Sequence, residues 1–581
     1  MTAAGPDSLA SAVAARLGRW ADERVAERLW ARDGSLWAAS GKGPEEVAAW
    51  LGWLDLPDSM RGRVGELERI AREVRADGYT RAAVLGMGGS SLAPELFSRV
   101  FGDPLGAPGS GDTGLELRIL DSTHPDAVRG FREWAESART IFCVSSKSGS
   151  TTEPNAFHAA MSAHAPALDF IAITDPDTPL ADLARSQGFR AIVDGPTDVG
   201  GRYSALSVFG LLPAALHGID LAGVLSRAAA MSDQCRRPAS DNPGLRLGAA
   251  IGEAALAGRD KLTIFTSPRL ASLGDWIEQL VAESTGKAGR GIVPIVGEPL
   301  GAPESYGSDR QFVFVSLAGD DPAWASLASE LSRLGHPCER VDLADALEIG
   351  AEFVRWEVAT ATAGILLMID PFDQPNVQEA KDATTALLDA YRAKGSLPQP
   401  PPLVAEEGLA AYGDVAVLGD DPVTVDGALR ALLETAGTSD YFAVLAYLPG
   451  DPETVERLEG FRATVRDRLG LATTLGIGPR FQHSTGQLHK GGPATGIFLQ
   501  LTADPHRDLP IPGWPETFGT LIAAQAAGDL AALQARERRV VRLHLADPAA
   551  GLARVEAMMH AALGEPARVT GQARRKGEGS T

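Results

Sequence analysis

The chain has 581 residues, 44% of them hydrophobic, which is ample for large cores and suggests about three or four domains or subdomains. A formal net charge of -21 argues against nucleic acid or an anionic membrane as a general partner, so an anionic ligand needs a local positive site. Cys143, Cys235 and Cys338 lie far apart in no metal or redox spacing, the N-terminus has no charged segment leading into an apolar core, and no run of 18 apolar residues occurs; the expectation is a cytoplasmic protein with no membrane span.

Residues 8–55 read as helical, with Trp20, Trp30, Trp37, Trp50 and Trp53 spaced among charges as packing residues. A helix over 62–76 follows. Ala82 to Leu85 reads as a buried strand that ends in Gly86-Met87-Gly88-Gly89-Ser90-Ser91 before a helix from about Ala93. Strand, glycine turn and helix offer backbone N–H groups to an anion. The dinucleotide fingerprint G-x-G-x-x-G is not met, because position 91 is Ser. Strands are predicted at 117–120 and 140–144. The second ends in Ser145-Ser146-Lys147-Ser148-Gly149-Ser150-Thr151-Thr152-Glu153-Pro154, with six hydroxyls, one Lys and one Gly. Hydroxyls donate to phosphate oxygens, Lys adds charge and a following helix N-terminus adds its dipole. After strands at 169–173 and 190–193 comes Val199-Gly200-Gly201-Arg202-Tyr203-Ser204, opening a helix over 204–216. An Arg behind two glycines at a helix start is placed to reach an anion.

Alternating strands and helices imply a parallel sheet flanked by helices, whose ligands bind beyond the carboxyl ends of the strands. A second run of this kind begins at Lys261 to Phe265. It continues through a helix with apolar residues at 276, 277, 280 and 281, where Gln279 and Glu283 lie four apart on one face and Gly286 is a plausible stop. Strands at 292–296 and 312–317 and a helix at 354–368 follow. Pro375 is predicted to open a further helix, placing Lys381 nearly two turns in. Gly395 to Pro402, with four prolines, reads as a linker. Beyond it, strands at 441–448, 496–502 and 539–545 and helices at 452–468, 516–534 and 550–563 make a third α/β unit. Its loop 478–493 is polar and glycine-bearing and carries His483, His489 and Lys490.

Taken together, these tracts resemble phosphoglucose isomerases over roughly residues 80–390, in order. Gly86-Met87-Gly88-Gly89-Ser90 resembles the family's first glycine turn, Ser146 to Glu153 its phosphate loop, and Gly200-Gly201-Arg202-Tyr203-Ser204 its arginine tract. Glu283-Ser284-Thr285-Gly286-Lys287 resembles the segment carrying its base, with Gln279 at the matching position. Phe372-Asp373-Gln374 and Lys381 resemble its final segment, with a matching spacing of seven. The whole chain looks most like the isomerase part of transaldolase–phosphoglucose isomerase fusions, without the transaldolase barrel. One departure stands out. After Gly297-Glu298-Pro299, Phe312 occupies the place of the family's ring-opening histidine, and His483 and His489 are the candidates for a relocated one.

The resemblance implies an α/β fold of two sugar-isomerase-type parallel sheets flanked by helices, plus a C-terminal α/β domain. The expected divisions are an N-terminal helical segment (1–55), subdomains at 56–225 and 226–394, a Pro-rich linker (395–404), the C-terminal domain (405–565) and a disordered tail (566–581). It also implies interconversion of glucose 6-phosphate and fructose 6-phosphate. Glu283 would shuttle the proton between C1 and C2, and Arg202 would stabilise the enediol oxygens. Gly89, Ser90, Ser146, Lys147, Ser148, Thr151, Gln279 and Gln374 would hold the substrate, and Lys381 with His483 or His489 would open the ring. No cofactor or metal is expected. A homodimer and a separate transaldolase partner stay open. The alternatives are a non-catalytic sugar-phosphate regulator and an isomerase for another hexose phosphate such as mannose 6-phosphate.

Overall fold

The computed structural model describes residues 6–102, 114–414 and 423–564, so the tail expected from 566 lies outside the described residues. The first sheet holds β1 (Arg81–Gly86), β2 (Glu116–Leu120), β3 (Thr140–Ser145), β4 (Phe170–Thr174) and β5 (Ala191–Asp194) in the order β2-β1-β3-β4-β5, all parallel. Ala82 to Leu85 and Ile141 to Val144 are buried on both faces, as apolar runs in a helix-covered parallel sheet must be. The second sheet, β6 (Lys261–Thr266), β7 (Val293–Val296), β8 (Arg310–Leu317) and β9 (Cys338–Leu343), is also parallel, in the order β7-β6-β8-β9. Phe312 lies in β8, inside an aromatic cluster with Phe265, Tyr306 and Phe314, so packing accounts for it.

The third sheet contains β10 (Val404–Glu406), β11 (Leu409–Gly413), β12 (Tyr441–Tyr447), β13 (Ala472–Ile477), β14 (Gly496–Ala503) and β15 (Arg539–Leu545). The order is β10-β11-β15-β14-β12-β13, antiparallel only at the β10 and β11 pairings. This unit shares cores with the rest of the chain. Tyr441, Leu445, Phe481 and Leu488 pack with Ala282, Val293 and Ile295. Phe518 and Leu521 pack with Phe157, Phe170 and, from the proline-rich side, Leu397.

Several elements differ from the sequence reading. The helix expected over 204–216 is Val208–His217, because the Ser207 side chain caps it by accepting from Phe209 N–H. Pro375 stays outside its helix, which runs Val377–Lys394. The Asn376 N–H is engaged by Gln487 Oε1 at 2.9 Å, so Lys381 sits just over one turn in. Gly286 ends its helix at φ -76, without a left-handed cap. A Cβ there would fall 2.4 Å from Leu488 Cα, so close approach of the third unit is what demands glycine. The N-terminal stretch opens with helix Pro6–Asp22 and then breaks into short helical pieces, with Trp20, Trp37 and Trp53 buried and Trp50 exposed.

The second and third sheets are joined by a buried ion pair. Glu298 bonds both guanidinium nitrogens of Arg310, at 2.9 and 3.0 Å, and accepts from the Thr473 N–H and hydroxyl of β13. Burial alone would raise this carboxyl, but the Arg310 charge holds it below the ordinary range. Glu298→Ala should therefore destabilise the fold by about 3–5 kcal/mol, because it leaves Arg310 charged and unpaired. A denaturant midpoint equal to that of the wild type would contradict this.

Candidate functional site

Helix Ala271–Thr285 supplies the centre of the site. Gln279 and Glu283 lie on one of its faces, and Gln279 Nε2 donates to Glu283 Oε2 at 3.1 Å. The same nitrogen donates to the His483 carbonyl at 2.8 Å, while Gln279 Oε1 is buried with no protein partner among the described residues. The first glycine turn lies directly beside this amide. Gly88 has φ +54, and a Cβ there would come 2.9 Å from Gln279 Nε2 and 3.0 Å from His483 O. Gly89 packs on the arginine tract, where a Cβ would fall 1.9 Å from Gly201 O; Ser90 closes the turn and is 9% exposed.

Arg202 is 2% exposed and fully engaged. Its Nε donates to Ser284 Oγ at 2.8 Å, and its terminal nitrogens donate to Gln374 Oε1, Pro371 O and Asp373 O. Glu283 Oε1 lies 3.2 Å away. Lys287 braces the same segment through Asp370 O and the Asp373 carboxylate, and burial lowers its ammonium to about 8 despite Asp373.

The hydroxyl tract wraps the start of helix Thr152–Ser162, whose N-cap Thr151 makes no side-chain capping bond. Ser146 Oγ donates to Thr151 Oγ1 at 2.9 Å, with Ser148 Oγ 3.5 Å from the same oxygen. An uncapped helix start ringed by hydroxyls suits an anion. Lys147 does not join that ring: Nζ donates 2.5 Å to Asp175 Oδ2 and 2.8 Å to Pro196 O, because Asp175 follows the neighbouring strand β4.

The two loop histidines part company. His483 Nε2 is 3.1 Å from Glu153 Oε1, which also accepts from Gln525 Nε2 at 2.7 Å. Burial alone would raise the Glu153 carboxyl; the charge and hydrogen bond of His483 hold it lower, with a smaller contribution from Lys381, exposed on its helix. His489 is 2% exposed among the rings of Tyr441, Phe481 and Phe498, and burial drives its pKa far down. The structure thus brings Glu283, Arg202, Gln279, Gln374, Gly89 and His483 together and leaves His489 in a core. Sequence reasoning missed Glu153, although it ends the hydroxyl tract, and Gln525, which no local pattern marks.

A cavity of about 950 Å³ lies across the 480–484 segment, lined by Glu95, Asp121, Asp275, Glu278 and Arg480. Arg480 is already paired with Glu95 and Asp121, so these walls repel an anion. Among the described residues no helix is long and apolar enough to cross a membrane, and no cluster of His, Cys, Asp and Glu is placed to hold a metal ion.

No family model matches the chain. Over 417 residues it is 30% identical to the glucose-6-phosphate isomerase of Carboxydothermus hydrogenoformans, an alignment spanning 58% of this chain and 85% of that protein. The chain belongs to the glucose-6-phosphate isomerase family. A second member, from Rubrobacter xylanophilus, is 29% identical over 392 residues, covering 59% of this chain and 90% of its own. Two solved structures share the fold. A hypothetical protein from Thermus thermophilus matches with TM-score 0.54 and 24% identity over 68% of this chain and all of its own. A glucose-6-phosphate isomerase from Chlamydia trachomatis matches with TM-score 0.51 and 17% identity, over 65% and 86%. Membership of the glucose-6-phosphate isomerase family fits the two flanked parallel sheets and leaves a large part of this chain beyond either alignment.

Glu153 has a depressed pKa in the folded protein, so its stabilising contribution is present above the ordinary 4.5 and is lost as pH falls through the lower folded value. Glu153→Gln should therefore lose less stability than the wild type between about pH 7 and about pH 3, read as melting temperatures. Equal losses in the two proteins would contradict the assignment.

Proposed function

We propose that the chain interconverts glucose 6-phosphate and fructose 6-phosphate through an enediol, with Glu283 as the base. The observation that carries this reading is the meeting of Glu283, Arg202 and the Glu153–His483 pair around Gln279. The family members' names supply glucose 6-phosphate and an isomerase, and the 2-keto isomer of that aldose is fructose 6-phosphate.

The phosphate sits on the hydroxyls of Ser146, Ser148 and Thr151 at the open helix start, and its binding energy positions the reacting carbons. Lys147, whose charge is matched by Asp175, braces the loop from behind. His483 turns Nε2 to Glu153, which leaves Nδ1 for the sugar; it protonates the ring oxygen while Lys381 or water takes the O1 proton. Glu283 then removes the C2 proton, and the aldehyde oxygen gains one, giving the enediol. Returning the proton to C1 as O2 loses its own completes the ketose. Arg202 stabilises charge on the enediol oxygens. This assignment leaves His489 without a catalytic part.

The likeness to the isomerase part of transaldolase fusions takes in the third unit, and the alignments to two family members span 59% and 58% of this chain. A histidine from the same chain supports a site complete within one chain, in a monomer or a dimer alike.

Glu283→Gln should keep the fold and phosphate binding and lower turnover by at least about 10²-fold. Near-normal turnover would sink the base assignment, and a wild-type protein that binds glucose 6-phosphate without converting it would favour the regulator. Comparing fructose 6-phosphate with mannose 6-phosphate in a coupled assay separates the two isomerases. His483→Ala should slow conversion of cyclic glucose 6-phosphate, whereas His489→Ala should act only through stability. Equal effects of the two on turnover at matched folded fraction would contradict the choice of His483.

A further inference from the structure

One buried amide next to the site has no part in that scheme. Gln525 is 2% exposed, on a helix (Phe518–Ala535) whose neighbouring residues Phe518, Leu521 and Ala524 lie in an apolar core. Its Nε2 donates to Glu153 Oε1 at 2.7 Å, closer than the 3.1 Å from His483 Nε2 to the same oxygen. Its Oε1 accepts from Thr123 Oγ1 at 2.7 Å, and Thr123 is fully buried. Its backbone carbonyl accepts at 3.0 Å from Gln482 Nε2, one residue before His483.

These contacts admit one orientation. A carboxylate only accepts, so the amide must turn its NH2 to Glu153, and the Thr123 hydroxyl then fills the carbonyl end. The charge on Glu153 is thus bonded by two groups, the imidazole that gives up a proton in the proposed scheme and an amide that keeps its own. When His483 gives a proton to the ring oxygen it becomes neutral, and Glu153 loses its charged partner. The amide still donates at that moment, so the buried carboxylate stays ionised and holds the imidazole in place.

We propose that Gln525, set by Thr123, is a positioning residue for ring opening, acting through Glu153 on His483. The proposal rests on the reading of His483 given above. It makes the third unit supply both the histidine and the brace for its carboxylate.

The test uses the full chain and glucose 6-phosphate, either unlabelled or carrying deuterium at C2. Gln525→Met should lower kcat about 10-fold, the scale of a lost hydrogen bond to a charged group, with KM little changed. Its C2-deuterium isotope effect should shrink, because ring opening has become the slow step. Thr123→Val should shift both in the same direction and by less. Gln525→Glu, equal in size, puts a second carboxyl against Glu153, and the pair shares one proton. That variant should work at low pH and lose turnover as the shared proton leaves, a loss absent from the wild type because an amide does not titrate. It also carries the test if Gln525→Met fails to fold.

Wild-type kcat in Gln525→Met overturns the proposal. So does a fall in kcat with an undiminished isotope effect, or a Gln525→Glu profile that follows the wild type. His483→Ala separates the two levels. If it keeps wild-type kcat, the ring-opening reading itself fails. If it shows slowed ring opening while the Gln525 variants do not, only the positioning role is lost.

Discussion

Arg202 is a charge where charges are expensive. A guanidinium withdrawn from water costs several kcal/mol unless its donors are met, and here Ser284, Gln374, Pro371, Asp373 and Glu283 meet them. Those partners belong to two separate segments around the second sheet, while Arg202 itself opens from the first. The guanidinium therefore ties the two sheets together, while the close contact of Gly89 on Gly201 holds its own tract against the first glycine turn. In the proposed scheme an Arg at this point serves structure and function for the same reason: a group held rigidly by five partners is already aimed before any ligand arrives.

The third unit is bound in as tightly. Gln487 is fully buried and donates to Gly286 O and Asn376 Oδ1 while accepting from the Asn376 N–H, so one amide ties the end of the Glu283 helix to the start of the Lys381 helix. Apolar clusters are shared on two sides, and the proline-rich stretch before it is anchored at Leu397 while Pro398 to Pro402 stay exposed.

What could be read from sequence was local. Ala82 to Leu85 and Thr140 to Val144 announce buried strands because every residue is apolar or β-forming, and Gln279 with Glu283 share a face by spacing alone. The outer strands Cys338–Leu343 and Ala472–Ile477 were not legible: the first mixes exposed charges with its apolar positions, and the second follows a helix with only a short break between. The site failed to show wherever its partners are distant. Glu153 looks like an ordinary acidic residue in a first helical turn, favoured there by the dipole, and its histidine is 330 residues away. His483 and His489 are equivalent as letters in one loop. Packing chooses between them, because position 489 falls on the turn facing Tyr441 and Phe498. Lys147 beside six hydroxyls advertises phosphate, and nothing nearby in sequence reveals Asp175 waiting at the end of the next strand.

A site assembled from Gly88 at one end and Gln525 at the other has a consequence for how the protein comes into being. During synthesis Glu283, Arg202 and the hydroxyl loop emerge first, and the wall that Gln525 completes follows roughly 10–50 s later. Until then the nascent chain exposes the apolar faces that Tyr441, Leu488 and Phe518 will cover. The ribosome thus releases this activity in a single late step, and the contacts that complete it are among the most distant in the chain, the kind that form slowly.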